Sequence, residues 1–308
     1  MKVSLIGGTG FVGSHLVPAL LEAGHVPRLL IHRSESGRGL PLDGCEIVRG
    51  AVADQAAVAE CVAGAEAFIY LIGILREFPS RGITFEGLQW RGVERALQAC
   101  QASGCGRFLL MSANGVKQVG TPYQSTKFQA EEAVKASGLR WTIFRPSVIY
   151  GQPNGRMEFC SQLRRDIVDS PLPAPLFYSG LLPREAGGFK LAPVAVEDVV
   201  QAFVRALERP ETEGRTLHLC GPEASSWKEI LETIAAAVGK RKWMLPAPVL
   251  GVKVAASLFD RQPWFPITRD QITMLLEGNV CEDMSAYSLL GMTPRVFDAA
   301  SLAYLRAG

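Results

Sequence analysis

Tyr123 and Lys127 stand four residues apart in Tyr123-Gln-Ser-Thr-Lys127, on one face of any helix that holds them. A tyrosine with an ordinary pKa of about 10 is a poor acid or base at neutral pH. A lysine ammonium beside it stabilises the phenolate, lowers that pKa and makes proton transfer practicable; it can also hold ribose hydroxyls. The spacing arises by chance in roughly every second chain of this size, so its place in the chain has to carry the argument. Gly7, Gly10 and Gly13 supply that place. They form G-x-x-G-x-x-G directly after an apolar run and directly before a helical pattern. In such a loop one glycine makes a tight turn, one lets the backbone approach a pyrophosphate, and one lets the helix pack against the strand. The helix start adds unpaired N–H groups and the positive end of a dipole. A dinucleotide is the ligand such a loop holds.

The end of the second strand decides which dinucleotide. A preference for NAD(H) goes with an Asp or Glu about 20 residues on, holding the ribose 2′-OH. Here that position is Arg33, between His32 and Ser34. A guanidinium takes a 2′-phosphate through paired hydrogen bonds, where a carboxylate repels it. The expected cofactor is NADP(H) rather than NAD(H).

The elements that must position these groups are visible as alternating patterns. Strands are predicted at 2–6, 27–32, 45–48, 67–72, 107–111 and 141–144. Helices are predicted at 10–23, stopped by Gly24, at 54–62 behind an Asp54 N-cap, at 84–102 and at 122–136. Strands alternating with helices at this interval predict an α/β fold, a Rossmann-type doubly wound parallel sheet with helices on both faces. After Gly151 the texture changes, with Pro and Gly clustered between 151 and 193 around one helix at 157–169. A strand running into a helix is expected at 194–205, with Glu197 and Asp198 in the first turn. Ser226-x-x-Glu229 is a capping box opening a helix over 227–238. The expected organisation is a large lobe of 1–150 plus a return at about 192–206, and a smaller C-terminal lobe within 151–308 above the strand C-termini.

The motifs GGTGFVG, Arg33, LIGIL, MSANG, YQSTK and RPSVIYG, in this order, resemble the short-chain dehydrogenase/reductase superfamily in its extended or atypical branch. LIGIL with TFEGLQWRGVERAL, PVAVEDVVQAF, LHLCGPEASSWKEIL and PITRDQITMLLEGN resembles the bacterial relatives of the NADPH-binding accessory subunit of respiratory complex I. That similarity covers nearly the whole chain. The resemblance implies Tyr123 as proton donor or acceptor, Lys127 as its modulator and ribose ligand, and a serine on the substrate oxygen, for which Ser112 is the candidate. It also implies that the backbone after Arg145-Pro146-Ser147 faces the nicotinamide, and that Leu71, Ile72 and Gly73 line the cofactor ribose. The full cofactor set expected is Gly7, Thr9, Gly10, Phe11, Val12, Gly13, Arg33, Ser34, Val52, Leu71, Ile72, Gly73, Ser112, Lys127, Pro146 and Ser147. Three departures from the superfamily weigh against chemistry. Asn114, preceded by Ala113, stands where extended members keep the catalytic serine; Gln89 replaces the asparagine that supports the lysine. Gly50-Ala51 replaces Gly-Asp, leaving the Val52 backbone to meet adenine.

Three functions follow as alternatives. One is an NADP-dependent oxidoreductase acting on a carbonyl or alcohol. The second is a non-catalytic NADPH-binding accessory or assembly factor of a respiratory or quinone-related membrane complex. The third is a nucleotide-sugar epimerase or dehydratase, weakened by the missing serine. The ligand is then a small-molecule substrate or a quinone-related compound.

Composition narrows the rest. The 308 residues carry 32 Lys+Arg against 30 Asp+Glu, dispersed along the chain, which excludes a nucleic-acid binder built on a basic face. Four histidines without H-x-x-x-H spacing exclude a His/Cys metal site. Seven cysteines with no C-x-x-C read as thiols of a reducing compartment, with no disulfide needed to hold so long a chain. Cys100 and Cys105 read as a helix-end cysteine and a loop cysteine rather than a redox pair. The apolar segment 246–265, interrupted by Lys253, Asp260 and Arg261, reads as a core-facing helix, or else as one laid on a membrane surface or partner. A cytoplasmic location, peripheral to the inner membrane in the accessory reading, is expected; oligomeric state is left open.

Overall fold

The alternating pattern folds into one parallel sheet of seven strands in a computed structural model that describes residues 1–32, 39–40, 42–180, 182–251 and 268–307. In chain order the first half supplies β1 (Lys2–Ile6), α1 (Phe11–Glu22), β2 (Val26–Ile31), β3 (Glu46–Arg49), α2 (Gln55–Val62), β4 (Ala67–Tyr70), α3 (Arg91–Ser103), β5 (Arg107–Met111), α4 (Pro122–Lys135) and β6 (Arg140–Pro146). The second half adds β7 (Ile149–Tyr150), α5 (Phe159–Leu163), β8 (Ala174–Tyr178), β9 (Lys190–Leu191), β10 (Val194–Ala195), α6 (Val196–Leu207) and β11 (Arg215–Leu219). It closes with β12 (Ser225–Ser226), α7 (Trp227–Ala237), β13 (Met244–Pro248), α8 (Arg269–Glu277) and α9 (Ser285–Leu290).

The sheet order is β11-β6-β5-β4-β1-β2-β3, every pairing parallel. Helices α1 and α6 cover one face through Leu16, Val17, Leu20, Val199 and Phe203. Helices α2, α3 and α4 cover the other through Val58, Val62, Val93, Leu97 and Val134. Strand β4 is buried at every residue, as an apolar run with neighbours on both edges and helices on both faces must be. The order reverses between β1 and β4, and ligands of such sheets sit in the crevice at those strand ends.

Local sequence signals set the helix starts. Asp54 accepts the Ala56 and Ala57 amides at 3.0 and 3.3 Å and opens α2. Thr121 and Gln124 form a reciprocal capping box with Pro122 in the first turn, which fixes where α4 begins and so where Tyr123 and Lys127 sit. Ser226 and Glu229 do the same for α7.

Several expectations are corrected. The helix expected over 84–102 opens with a π-helical turn at Glu86–Trp90. There the Gly87 amide donates to Thr84 Oγ1 and the Tyr70 hydroxyl donates to the Leu88 carbonyl, contacts from outside the helix that periodicity does not encode. The helix expected over 157–169 is α5 followed by a π-helical Arg164–Val168. The returning strand β10 pairs with β7 outside the main sheet, and the seventh sheet strand is β11, which the sequence reading lacks. This edge strand has five residues and only Leu217 and Leu219 buried, so its apolar signal is short. In the segment 246–265, Pro246–Pro248 end β13 as a strand, paired with β8, instead of a helix; residues 252–265 lie outside the described residues. Cys220 and Cys281 form a disulfide across a separation of 61 residues, against the expectation of thiols throughout. Cys100 and Cys105 are free thiols, both buried. No described helix is long and apolar enough to cross a membrane.

Candidate functional site

Between the glycine loop and the C-terminal lobe lies one continuous cavity of about 1000 Å³. Its sheet-side wall contains every expected cofactor residue among those described: Gly7, Thr9, Gly10, Phe11, Val12, Gly13, Val52, Leu71, Ile72, Gly73, Ser112, Lys127, Pro146 and Ser147. Arg33 and Ser34 lie outside the described residues. The loop needs its glycines. Gly7 has φ +89°, and a Cβ there would stand 3.0 Å from the Ile72 amide nitrogen. A Cβ on Gly13 would lie 2.3 Å from the Gly8 carbonyl oxygen, so only glycine lets α1 start against the loop. The N-cap of α1 is Gly10, with no side chain capping the first turn, so the N–H groups facing the cavity are available to an anion. These residues fit a dinucleotide pyrophosphate.

Tyr123 and Lys127 face the same cavity from the first two turns of α4. The Lys127 side chain is 2% exposed, and its ammonium donates to the Ile72 carbonyl at 3.0 Å and the Met111 carbonyl at 2.9 Å. Burial draws its pKa down to about 8, partly opposed by Glu131. Two of three ammonium N–H groups are thereby engaged, leaving one for a ligand. Tyr123 packs edge-on against Phe85 with ring centroids 5.9 Å apart. Among the described residues nothing holds its phenol oxygen. Burial pushes that phenol up to about 12, and this corrects the expectation that Lys127 lowers it: the ammonium is turned onto two carbonyls and desolvation dominates.

Ser112 has another occupation than the expected one. Its hydroxyl donates to Glu131 Oε1 at 2.5 Å, and the same fully buried carboxylate takes Arg145 bidentately, Nε at 2.8 Å and Nη2 at 2.6 Å. Asn114 is held as well. Its amide nitrogen donates to Asn279 Oδ1 at 2.8 Å and to the Val280 carbonyl at 3.1 Å, while His218 Nδ1 lies 3.0 Å from its oxygen. Gln89, 1% exposed, donates to the Ile74 carbonyl at 2.8 Å and so holds the segment after β4 rather than Lys127 itself.

The second wall comes from the lobe and was missed by motif reading. Asn279 lines the cavity, accepts from the Ser147 hydroxyl at 3.1 Å through its carbonyl, and sits beside Glu277, which accepts from Gln124 at 2.8 Å and Lys117 at 2.6 Å. The segment Glu277–Cys281 is thus a strap tying the lobe to α4 and to the ends of β5 and β6. Its only trace in the sequence is the LLEGN run. Apolar residues Phe159, Leu163, Phe177 and Trp227 complete this wall.

Known proteins bear on this arrangement. A family profile described as NAD(P)H-binding matches residues 7–166. A ceramide reductase of Caulobacter vibrioides is 28% identical over 86% of this chain and 79% of its own. The mitochondrial NADH-ubiquinone oxidoreductase 40 kDa subunit of Neurospora crassa is 23% identical over 98% of this chain and 77% of its own. The solved UDP-glucose 4-epimerase of Thermus thermophilus, in complex with NAD, superposes with a TM-score of 0.74 at 20% identity, covering 100% of this chain and 98% of that one. At that identity the likeness is one of fold. The relatives span reductases, a complex I subunit and epimerases, the range implied by the sequence motifs.

Proposed function

The chain belongs to the NAD(P)H-binding family, and from that premise we propose that it is an NADP(H)-dependent oxidoreductase reducing a carbonyl to an alcohol. The observation that carries this is the shared cavity. The glycine loop, Lys127 and the unengaged phenol of Tyr123 face one space that also reaches the lobe, so cofactor and substrate can meet beside the phenol.

When bound, the reduced nicotinamide supplies a hydride to the carbonyl carbon. Tyr123 gives its phenol proton to the oxygen as negative charge develops there, and recovers a proton from solvent. A phenol held at about 12 is protonated at neutral pH, the form reduction needs. Lys127 offers its third N–H to the ribose. Preference for the phosphorylated cofactor rests on Arg33, two residues beyond the end of β2. Arg33→Ala is expected to lower NADPH affinity about tenfold to a hundredfold, on the scale of a charge-assisted hydrogen-bond pair, and to leave NADH affinity unchanged. Equal losses for both nucleotides in calorimetry would remove the argument for NADP(H).

Lys127 gives a pH dependence with a definite sign. Below about pH 8 it is an ammonium with three donors; above it, two remain and both are engaged by Ile72 and Met111. The kcat/KM for NADPH, which reports groups of the free enzyme, is expected to be flat below about pH 8 and to fall above it. A profile level through pH 10 would show that the third donor does not reach the cofactor.

A second reading is favoured by one specific observation. Asn114, in the position of the substrate-binding serine, is fixed by Asn279, Val280 and His218, and Ser112 by Glu131. A site with both groups occupied suits an accessory protein that keeps NADPH as part of its structure. The deciding experiment releases nucleotide from the purified protein for mass spectrometry, then follows reduced-nicotinamide absorbance with a panel of ketones and aldehydes. Oxidation of NADPH establishes the reductase. Tightly held NADPH that no carbonyl of the panel oxidises favours the accessory role.

A further inference from the structure

The cavity runs on beneath the lobe, into an arm walled by Phe159, Leu163, Ile167, Phe177, Trp227 and Leu275. These belong to the apolar cluster that joins α5, β8, α7 and α8, and Phe159, Leu163, Ile167 and Leu275 are only partly buried within it. The apolar surface they leave uncovered faces the arm. Trp227 has no polar handle to offer, because its indole N–H donates to the Pro175 carbonyl at 2.9 Å and its ring stacks on Phe177 and Phe189.

The carboxylates along this wall are already occupied. Glu158 accepts the Cys160 and Ser161 amides and the Tyr304 hydroxyl, and Asp166 takes Arg165 at 2.7 Å. Among the described lining residues Lys127 is the one Lys or Arg, and it stands at the cofactor end. A nucleoside diphosphate in the arm would bring charges that meet no Lys or Arg among the described lining residues there, and burying unpaired charge is costly. Hydrocarbon meets what it needs. Leu172 and Met157, 70% and 51% exposed, continue the apolar lining toward solvent.

We infer that the second molecule in this cavity is a carbonyl compound with a long hydrocarbon tail, the tail lying in the arm between α5 and α7. The carbonyl half of the statement rests on the proposed reductase; the tail rests on the arm alone. Two sources share this chemistry, a fatty-chain ketone and a quinone with a prenyl tail.

The test titrates the protein loaded with NADP⁺, which cannot reduce a ketone, with methyl ketones from pentanone to tridecanone in a calorimeter. Affinity is expected to rise about threefold to fourfold for each methylene taken from water, and to level off once the arm is full. Ile167→Trp fills part of the arm, so the levelling point moves to shorter ketones while NADP⁺ binding is kept; Leu163→Phe serves if the first variant does not fold. Affinity independent of chain length in both the ketone series and a parallel series of prenylated quinones overturns the inference. So does UDP-glucose binding more tightly than any ketone. A rise in the quinone series alone keeps the tail and assigns the head. Chain-length-dependent binding with no NADPH oxidation leaves the arm occupied as stated and ends the reductase reading instead.

Discussion

Replacing Tyr123 with phenylalanine is expected to lower kcat about a hundredfold to ten-thousandfold, the range a positioned general acid contributes, and to leave NADPH affinity and thermal stability almost unchanged. The separation follows from the site. Phenylalanine keeps the edge contact with Phe85, so packing survives. The phenol oxygen has no partner among the described residues, so removing it strands no buried donor or acceptor. Lys127 keeps both its carbonyl partners, so the cofactor side of the cavity is undisturbed. Only the proton is lost. Turnover in Tyr123→Phe equal to that of the parent would show that solvent or another group protonates the product, and would take the catalytic role away from Tyr123. A simultaneous drop in melting temperature would instead assign the phenol a structural duty.

What the sequence makes legible is what local rules govern. The glycine spacing, the Asp54 cap, the Ser226 capping box and the continuous apolar run of β4 each act over a few residues, and each appears where expected; the Thr121 box obeys the same local rule. The cofactor wall follows, because the doubly wound order places the ends of β1 and β4 together once the strands are known. The direction of the Tyr123 shift is a different matter. It depends on how deeply α4 is buried and on the Ile72 and Met111 carbonyls, partners 55 and 16 residues away from Lys127. The same holds for Ser112, Asn114 and Gln89. Their types were readable as departures from a pattern, but their partners Glu131, Asn279, His218 and Ile74 come from other elements. The apolar arm escapes sequence reading because its walls are spread from 159 to 275 without a shared period.

The disulfide carries the second large effect. Cys220 follows the end of β11, and Cys281 ends the strap that begins at Glu277. In the chain-entropy account a cross-link closing a loop of some sixty residues restricts the unfolded chain by about 4 kcal/mol. Reduction, or Cys281→Ser, is therefore expected to lower unfolding stability by about 2–4 kcal/mol, read as a shift of the urea midpoint. Cys220→Ser should match it, and the double variant should be no worse than either, since both singles remove the same bond. The effect should reach the site. Asn279 lies two residues before Cys281, holds Asn114 and Ser147, and lines the cavity. Loosening the strap is expected to weaken NADPH binding along with stability, whereas Tyr123→Phe moves neither. A reductant that leaves both the urea midpoint and the NADPH affinity in place would mean that the strap is held by Glu277 on Lys117 and Gln124, and by Asn279 on β5 and β6, without help from the sulfur bridge.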